Sequence, residues 1–155
     1  MSRSTTLLRT AVAALALSVA TGCAQDASPP ATAAATTGPE LAGAWYQIYF
    51  DSNGAEINAR GRTIVQTVAY VVANAGPTRV TVIGKTDRVG APSANMALAQ
   101  QRADVVRDAL ISAGVPAASI DTNWTGEGRQ EVATANQVAE QRNRVVDVTV
   151  VKLPR

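Results

Sequence analysis

The stretch Lys85-Thr86-Asp87-Arg88-Val89-Gly90-Ala-Pro-Ser-Ala-Asn95-Met-Ala-Leu98-Ala99-Gln-Gln-Arg102-Ala103-Asp104-Val-Val106 decides how the rest of the chain is read. Its first part, residues 85–93, is a loop. It leads into a helix expected from about Ala94 to Ala113, which Gly114 and Pro116 stop. At about 3.6 residues per turn, Asn95, Leu98, Ala99, Arg102, Val106 and Ala109 fall on one side of that helix. This is the apolar side, and Arg102 stands in the middle of it. A cation aimed at a core needs a partner, because an unpaired buried ion is expensive. The nearest acid in sequence is Asp87, in the loop just ahead; Asp104 and Asp108 point away and read as a solvated face. Three readings stand at this level: a structural Arg102–Asp87 pair closing the loop onto the helix, an Arg102 that snorkels to water, or an anion and a cation set to receive a ligand.

Upstream, residues 79–84 (RVTVIG) read as a strand. Between Ile57 and Asn74 the residues Ile64, Val65, Val68, Val71 and Val72 recur at helical spacing, and Gly76-Pro77 ends the run. Residues 45–50 (WYQIYF) read as a first strand, followed by the turn Asp51-Ser-Asn-Gly54. Downstream, a strand is expected at 120–125, a polar loop with Gly126 and Gly128, a short helix near 134–142 and a closing strand at 144–151 (RVVDVTVV). The order β-α-β-α-β-α-β predicts helices packed on a sheet, with a right-handed crossover from the first strand to the second. No internal repeat is visible.

The N-terminal forty residues have a different character. Arg3 and Arg9 precede the apolar run Ala11–Ala20, and Thr21-Gly22-Cys23 follow. A positive start, a short apolar run and small residues at a cleavage site predict a signal peptide over residues 1–22. The run is too short for a bilayer, which needs about 20 apolar residues. Cys23 is the only cysteine, so no internal disulfide exists. Ala20-Thr-Gly-Cys23 resembles a bacterial lipobox, with Ala20 where Leu is usual, and predicts acylation of Cys23; the alternative is an ordinary secretory signal with a chance cysteine. No Asp follows Cys23, which favours sorting to the outer membrane. Residues 23–42 then read as a lipidated Cys with a disordered Ala/Thr/Pro tether that reaches at most about 60 Å. Residues 43–155 hold the folded domain.

Composition excludes several classes. Arg3 and Arg9 are two of the fourteen basic residues, and all twelve acids follow Cys23, so the chain from Cys23 onward is neutral. That gives no basic footprint for nucleic acid and no patch for an anionic membrane. The chain has no histidine, which removes the usual general base, the Ser-His and Cys-His nucleophiles and most zinc sites. A wall hydrolase built from two carboxylates would need a pair among Asp51, Asp87, Glu127 and Glu131, and no motif places one. No enzyme and no cofactor are expected.

The motifs in order resemble the OmpA-like C-terminal domain family, in its lipoprotein type. The family pattern T-D-x-x-G, then N-x-x-L-S-x-x-R-A-x-x-V, is matched by Thr86, Asp87, Gly90, Asn95, Leu98, Arg102, Ala103 and Val106. Tyr49-Phe50-Asp51, Gly114-Val115, Gly126-Glu127 and Asn143-Arg144-Val145-Val146-Asp147-Val148 are similar to further landmarks, so the resemblance runs over roughly residues 45–150. It implies an α+β fold, β-α-β-α-β with a mixed sheet of about four strands. It also implies non-covalent binding of peptidoglycan through the diaminopimelate of the stem peptide, tethering outer membrane to wall. By the same resemblance Asp87 takes the ligand ammonium and Arg102 the carboxylate, Asn95 lines the pocket, Thr86 counts among the ligand-binding residues, and Arg144 assists. The chemistry is consistent, since a planar guanidinium can bond both carboxylate oxygens and amides near Gly90 to Asn95 are open to oxyanions.

The chain departs from the family pattern at Lys85 (usually His), Ala99 (Ser), Val145 (Arg) and Gln130 (Pro). Lys85 reads as a solvated loop residue or a replacement cation. The alternative function is an interaction or assembly subunit of a larger envelope complex, with protein partners in place of the wall.

Overall fold

The computed structural model describes residues 43–154; the signal peptide, the lipobox and the whole tether expected from the sequence lie outside the described residues. Four strands and two helices follow one another: β1 (Ala44–Tyr49), α1 (Ala59–Ala75), β2 (Thr78–Lys85), α2 (Pro92–Ser112), β3 (Ile120–Gly126) and β4 (Val145–Lys152). Single 3-10 turns stand at Ala117–Ser119 and Gln141–Asn143. The strands form one mixed sheet in the order β1-β4-β2-β3. β4 runs antiparallel to both β1 and β2, and β3 runs parallel to β2. This is the α+β architecture expected from the sequence.

The core follows from alternation. Ile48 on β1, Val80 and Val82 on β2, and Val146, Val148 and Val150 on β4 face the helices, while Thr81, Asp147 and Thr149 face the other way. Val65, Val68 and Val71 of α1 and Ala103, Val106 and Leu110 of α2 close over that face. Each fully buried Val or Leu contributes about 1.5–3 kcal/mol of transfer free energy, and aliphatics dominate this core.

Helix starts are fixed locally. Asn58 caps α1 by accepting from Gly61 N at 2.8 Å. α2 has no side-chain cap; Pro92 opens it, whose missing N–H needs no partner there. Gly84 lets α2 reach the sheet: a Cβ built there would lie 2.0 Å from the Ala99 carbonyl oxygen. The close approach lowers the Arg102 turn of α2 onto the end of β2.

The helix expected near 134–142 does not form. Only the 3-10 turn at Gln141–Asn143 is helical there, and residues 127–144 make a connector of turns between β3 and β4. Two local facts exclude the helix. Gln137 has φ 62, in the left-handed region. The N–H of Gln137 goes to the Arg88 carbonyl (2.9 Å) and that of Thr134 to Gln130 Oε1 (3.2 Å), rather than up a helix.

Candidate ligand-binding site

Four segments meet where β2 ends: the turn 50–54 after β1, the loop 86–90, the first turns of α2 and the connector. Their meeting point is a pocket of about 220 Å³ lined by Ser52, Asn53, Asp87, Val89, Gly90, Asn95, Leu98 and Ala139. A larger cavity of about 340 Å³ lies at the far end of the helices, around Val72, Pro77, Gly114 and Pro116, but its lining holds no ionisable side chain. The smaller pocket carries the chemistry.

Asp87 and Asn95 both line it, and both are buried. The Asp87 carboxylate accepts from Arg144 Nη1 at 2.9 Å, and from the Val89 and Glu140 amides at 3.4 Å each. Arg144 also donates to the Phe50 carbonyl from Nε (3.2 Å) and thereby joins the turn after β1 to the loop after β2. Asn95 donates to Glu127 Oε2 at 2.6 Å, which ties the start of α2 to the end of β3. Thr86 is buried outside the pocket lining; its amide bonds the Gly126 carbonyl (2.9 Å), and its hydroxyl has no protein partner.

Arg102 is fully buried, and its partners are not the ones the sequence suggested. Nε donates to the Gly54 carbonyl (2.8 Å), Nη1 to the Lys85 carbonyl (3.1 Å) and Nη2 to the Asp51 carbonyl (2.8 Å). The guanidinium also lies 5.2 Å from the centroid of the Phe50 ring. The ion pair of Asp87 is with Arg144, so neither the closed Arg102–Asp87 pair nor the snorkelling Arg102 describes the site. Main-chain carbonyls solvate this cation in place of water. Burial lowers its pKa, the Asp87 charge opposes that and the Arg144 charge adds to it, which together leave it at about 10. It remains a cation at neutral pH. Three of its roughly five N–H groups are committed; it stands one helical turn after Leu98, and its partners Asp51 and Gly54 flank Ser52 and Asn53, and Leu98, Ser52 and Asn53 all line the pocket.

Lys85, expected to be solvated, is buried on the opposite face of the sheet. Its ammonium pairs with Asp147 at 2.6 Å and with Glu131 of the connector. Burial opposes its charge, but the hydrogen bonds and charges of Asp147 and Glu131 outweigh burial and raise its pKa. Gln47 extends the group, donating to Asp147 (3.2 Å) and accepting from Tyr49 (2.7 Å). Lys85 therefore faces two ways: its carbonyl holds Arg102 and its side chain holds the connector.

Sequence reading missed the connector's part in the site. Ala139 lines the pocket, the Glu140 amide bonds Asp87, and Gln137 bonds Gly90. The Gly90 amide expected to be open to an oxyanion is occupied by Gln137 Oε1 (2.9 Å). The left-handed, non-glycine backbone at Gln137 leaves no mark in composition or periodicity. The motif Asn143-Arg144 was the one signal near it: Asn143 is fully buried and clamps the connector through the Val132 amide (2.8 Å) and carbonyl (2.7 Å).

The model of the OmpA family matches residues 49–145. Among curated proteins, the chain is similar to the probable lipoprotein YiaD of Escherichia coli strain K12, 37% identical over 103 residues that cover 66% of this chain and 47% of that protein. It is similar to outer membrane protein A of Yersinia pseudotuberculosis, 36% identical over 91 residues, 57% of this chain and 25% of that one. The chain thus spans less than half the length of these relatives. Among solved structures, the peptidoglycan-associated lipoprotein of Burkholderia pseudomallei superposes with TM-score 0.62 at 25% identity, covering 67% of this chain and 88% of that one. The C-terminal domain of Helicobacter pylori MotB has TM-score 0.59 at 19% identity, covers 68% of this chain and 83% of that one, and shows the shared fold. With the family model running from the last residue of β1 to the first of β4, this chain belongs to the OmpA family.

Proposed function

We propose that this domain binds peptidoglycan non-covalently through the diaminopimelate of the stem peptide, and that acylated Cys23 anchors it at the periplasmic face of the outer membrane. One observation carries the reading: a pocket with a carboxylate in its wall, Asp87, and a buried guanidinium, Arg102, bonded to the carbonyls on either side of its Ser52-Asn53 lining. A free amino-acid end carries an ammonium and a carboxylate side by side. Asp87 takes the ammonium, and the uncommitted N–H groups of Arg102 take the carboxylate once the turn 51–54 gives way. Asn95 shapes the wall, Thr86 holds the end of β2 against β3, and Arg144 orients Asp87. The pocket is smaller than the ~300–1,000 Å³ of drug-sized sites, which suits one amino-acid head better than a sugar. A relative described as a probable lipoprotein and a structural neighbour described as peptidoglycan-associated support the same reading. The site holds and releases its ligand without chemistry; the chain lacks histidine, and Asp87 is committed to Arg144 and two amides.

The test is retention on purified sacculi. Diaminopimelate differs from lysine by one carboxylate on its side-chain end. A lysine-type wall leaves desolvated N–H groups unpaired, at about 1–3 kcal/mol, or on the order of 5- to 150-fold in affinity. Strong retention on diaminopimelate-type wall and weak retention on lysine-type wall are expected. Asp87→Asn, which keeps the shape and removes the charge, abolishes retention. An Asp87→Asn protein that stays folded and still discriminates between the walls refutes the assignment.

A further inference from the structure

The connector is laid along the loop 86–90 by a series of bonds centred on one exposed side chain. Gln137 donates its backbone N–H to the Arg88 carbonyl (2.9 Å). Its side-chain amide meets both backbone groups of Gly90: Oε1 accepts from the amide at 2.9 Å and Nε2 donates to the carbonyl at 3.0 Å. Arg88 returns a bond from Nη1 to the Thr134 carbonyl (3.0 Å). Gln137 and Gly90 both have positive φ, 62 and 98. A left-handed glutamine persists only where its surroundings hold it, and such strain gathers at working sites. Here the strained residue grips a glycine that lines the pocket, three residues from Asp87, and Ala139, two residues further on, lines the same pocket.

We propose that Gln137 is a positioning residue for this pocket: its amide fastens Gly90 and keeps the 86–90 loop and the 137–140 wall in the arrangement that receives the ligand. The proposal rests on the peptidoglycan reading above and assigns Gln137 no contact with the ligand. Without the clip, the loop keeps Asp87 but samples other arrangements. The apparent Kd then rises by the inverse of the fraction still arranged to bind, so a loop in place about a fifth of the time binds about fivefold weaker.

Two variants separate this role from general stability. Gln137→Gly and Gln137→Asn both accept positive φ better than glutamine. Gly has no amide, and the Asn amide is one methylene too short to span Gly90. The full chain in detergent is titrated calorimetrically with a soluble diaminopimelate-type muropeptide. Amide exchange across residues 86–91 and the melting temperature are measured on the same samples. Both variants are expected to melt like the wild type, to exchange the 86–91 amides about tenfold faster or more, and to bind about fivefold weaker or more. Unchanged Kd in both variants overturns the inference. Weakened binding in Gln137→Gly alone overturns it as well, since backbone freedom rather than the missing amide is then the cause. A loss of affinity that only tracks a lowered melting temperature reduces Gln137 to a structural residue and also overturns it. A wild type that binds no muropeptide refutes the peptidoglycan reading, and the inference falls with it; a wild type that binds while both variants match it refutes the inference alone.

Discussion

Replacing Arg102 with methionine tests how this domain carries a cation in its core. The change keeps length and apolar bulk and removes three charge-assisted hydrogen bonds to main-chain carbonyls. The Lys85 carbonyl is enclosed, so its lost partner costs the full amount for a charged hydrogen bond, about 1.5–3 kcal/mol. The Asp51 and Gly54 carbonyls lie at an exposed turn and regain water, so each costs less, roughly 0.5–1 kcal/mol. Relief from burying a charge, the main cause of the lowered Arg102 pKa, offsets part of the total. The net expectation is a loss of about 2–4 kcal/mol, or roughly 10–20 °C in Tm for a domain of this size. Arg102→Lys keeps the charge without the planar fork and is expected to lose about half as much. Urea unfolding followed by the fluorescence of Trp45 and Trp124 reads both. A double-mutant cycle with Asp87→Asn completes the measurement. Arg102 and Asp87 are not bonded to each other but interact through their charges, so a favourable coupling of only about 0.5–1 kcal/mol is expected. Arg102→Met within about 1 kcal/mol of the wild type, or strong coupling to Asp87, refutes the carbonyl account.

Three further outcomes follow from the same geometry. Lys85→Met is expected to remove an alkaline component of stability. The folded-state pKa of Lys85 is raised, so its contribution is complete below the unfolded value of about 10.4 and fades as pH rises through the folded value; the difference in unfolding free energy between wild type and variant should shrink across that window. Gly84→Ala places a Cβ against the Ala99 carbonyl and must lift α2 from β2, so thermal unfolding should show a large loss of stability, accompanied by loss of wall retention. Cys23→Ser is expected to move the protein from the membrane pellet to the soluble periplasm, while residues 43–155 expressed alone still unfold cooperatively and bind sacculi; a mutant that stays with outer membranes through a chaotropic wash contradicts the anchor.

How legible each part was in the sequence depended on the range of the forces that set it. The two helices and four strands were readable because Val65, Val68 and Val71, or Val146, Val148 and Val150, repeat with the period of their own element. Arg102 was readable as a cation on an apolar face, but its partners are backbone carbonyls, and those carry no side-chain signature. Arg144 and Asp87 were both visible as motif positions; that they pair depends on how β4 lies beside the end of β2. Lys85 looked solvated because its acids, Glu131 and Asp147, come from distant segments. The connector was misread as partly helical because bonds to another loop, rather than a local period, fix its shape.

The strand order has a consequence for the timing of assembly. β4 is the last of the described strands, yet it lies between β1 and β2, which never touch each other in the sheet. Until residues 145–152 arrive, β1 has no neighbour, and Ile48 lacks Val146 beside it. The pocket is equally incomplete, because Arg144, which fastens Asp87, enters with the same strand. A nascent chain can settle α2 across paired β2 and β3, but the rest must wait, since long-range strand pairing comes late and slowly. Keyed to its fourth strand, the sheet stays incomplete until residues 145–152 are present, a useful property for any chain that has to pass through a membrane unfolded before it takes shape on the other side.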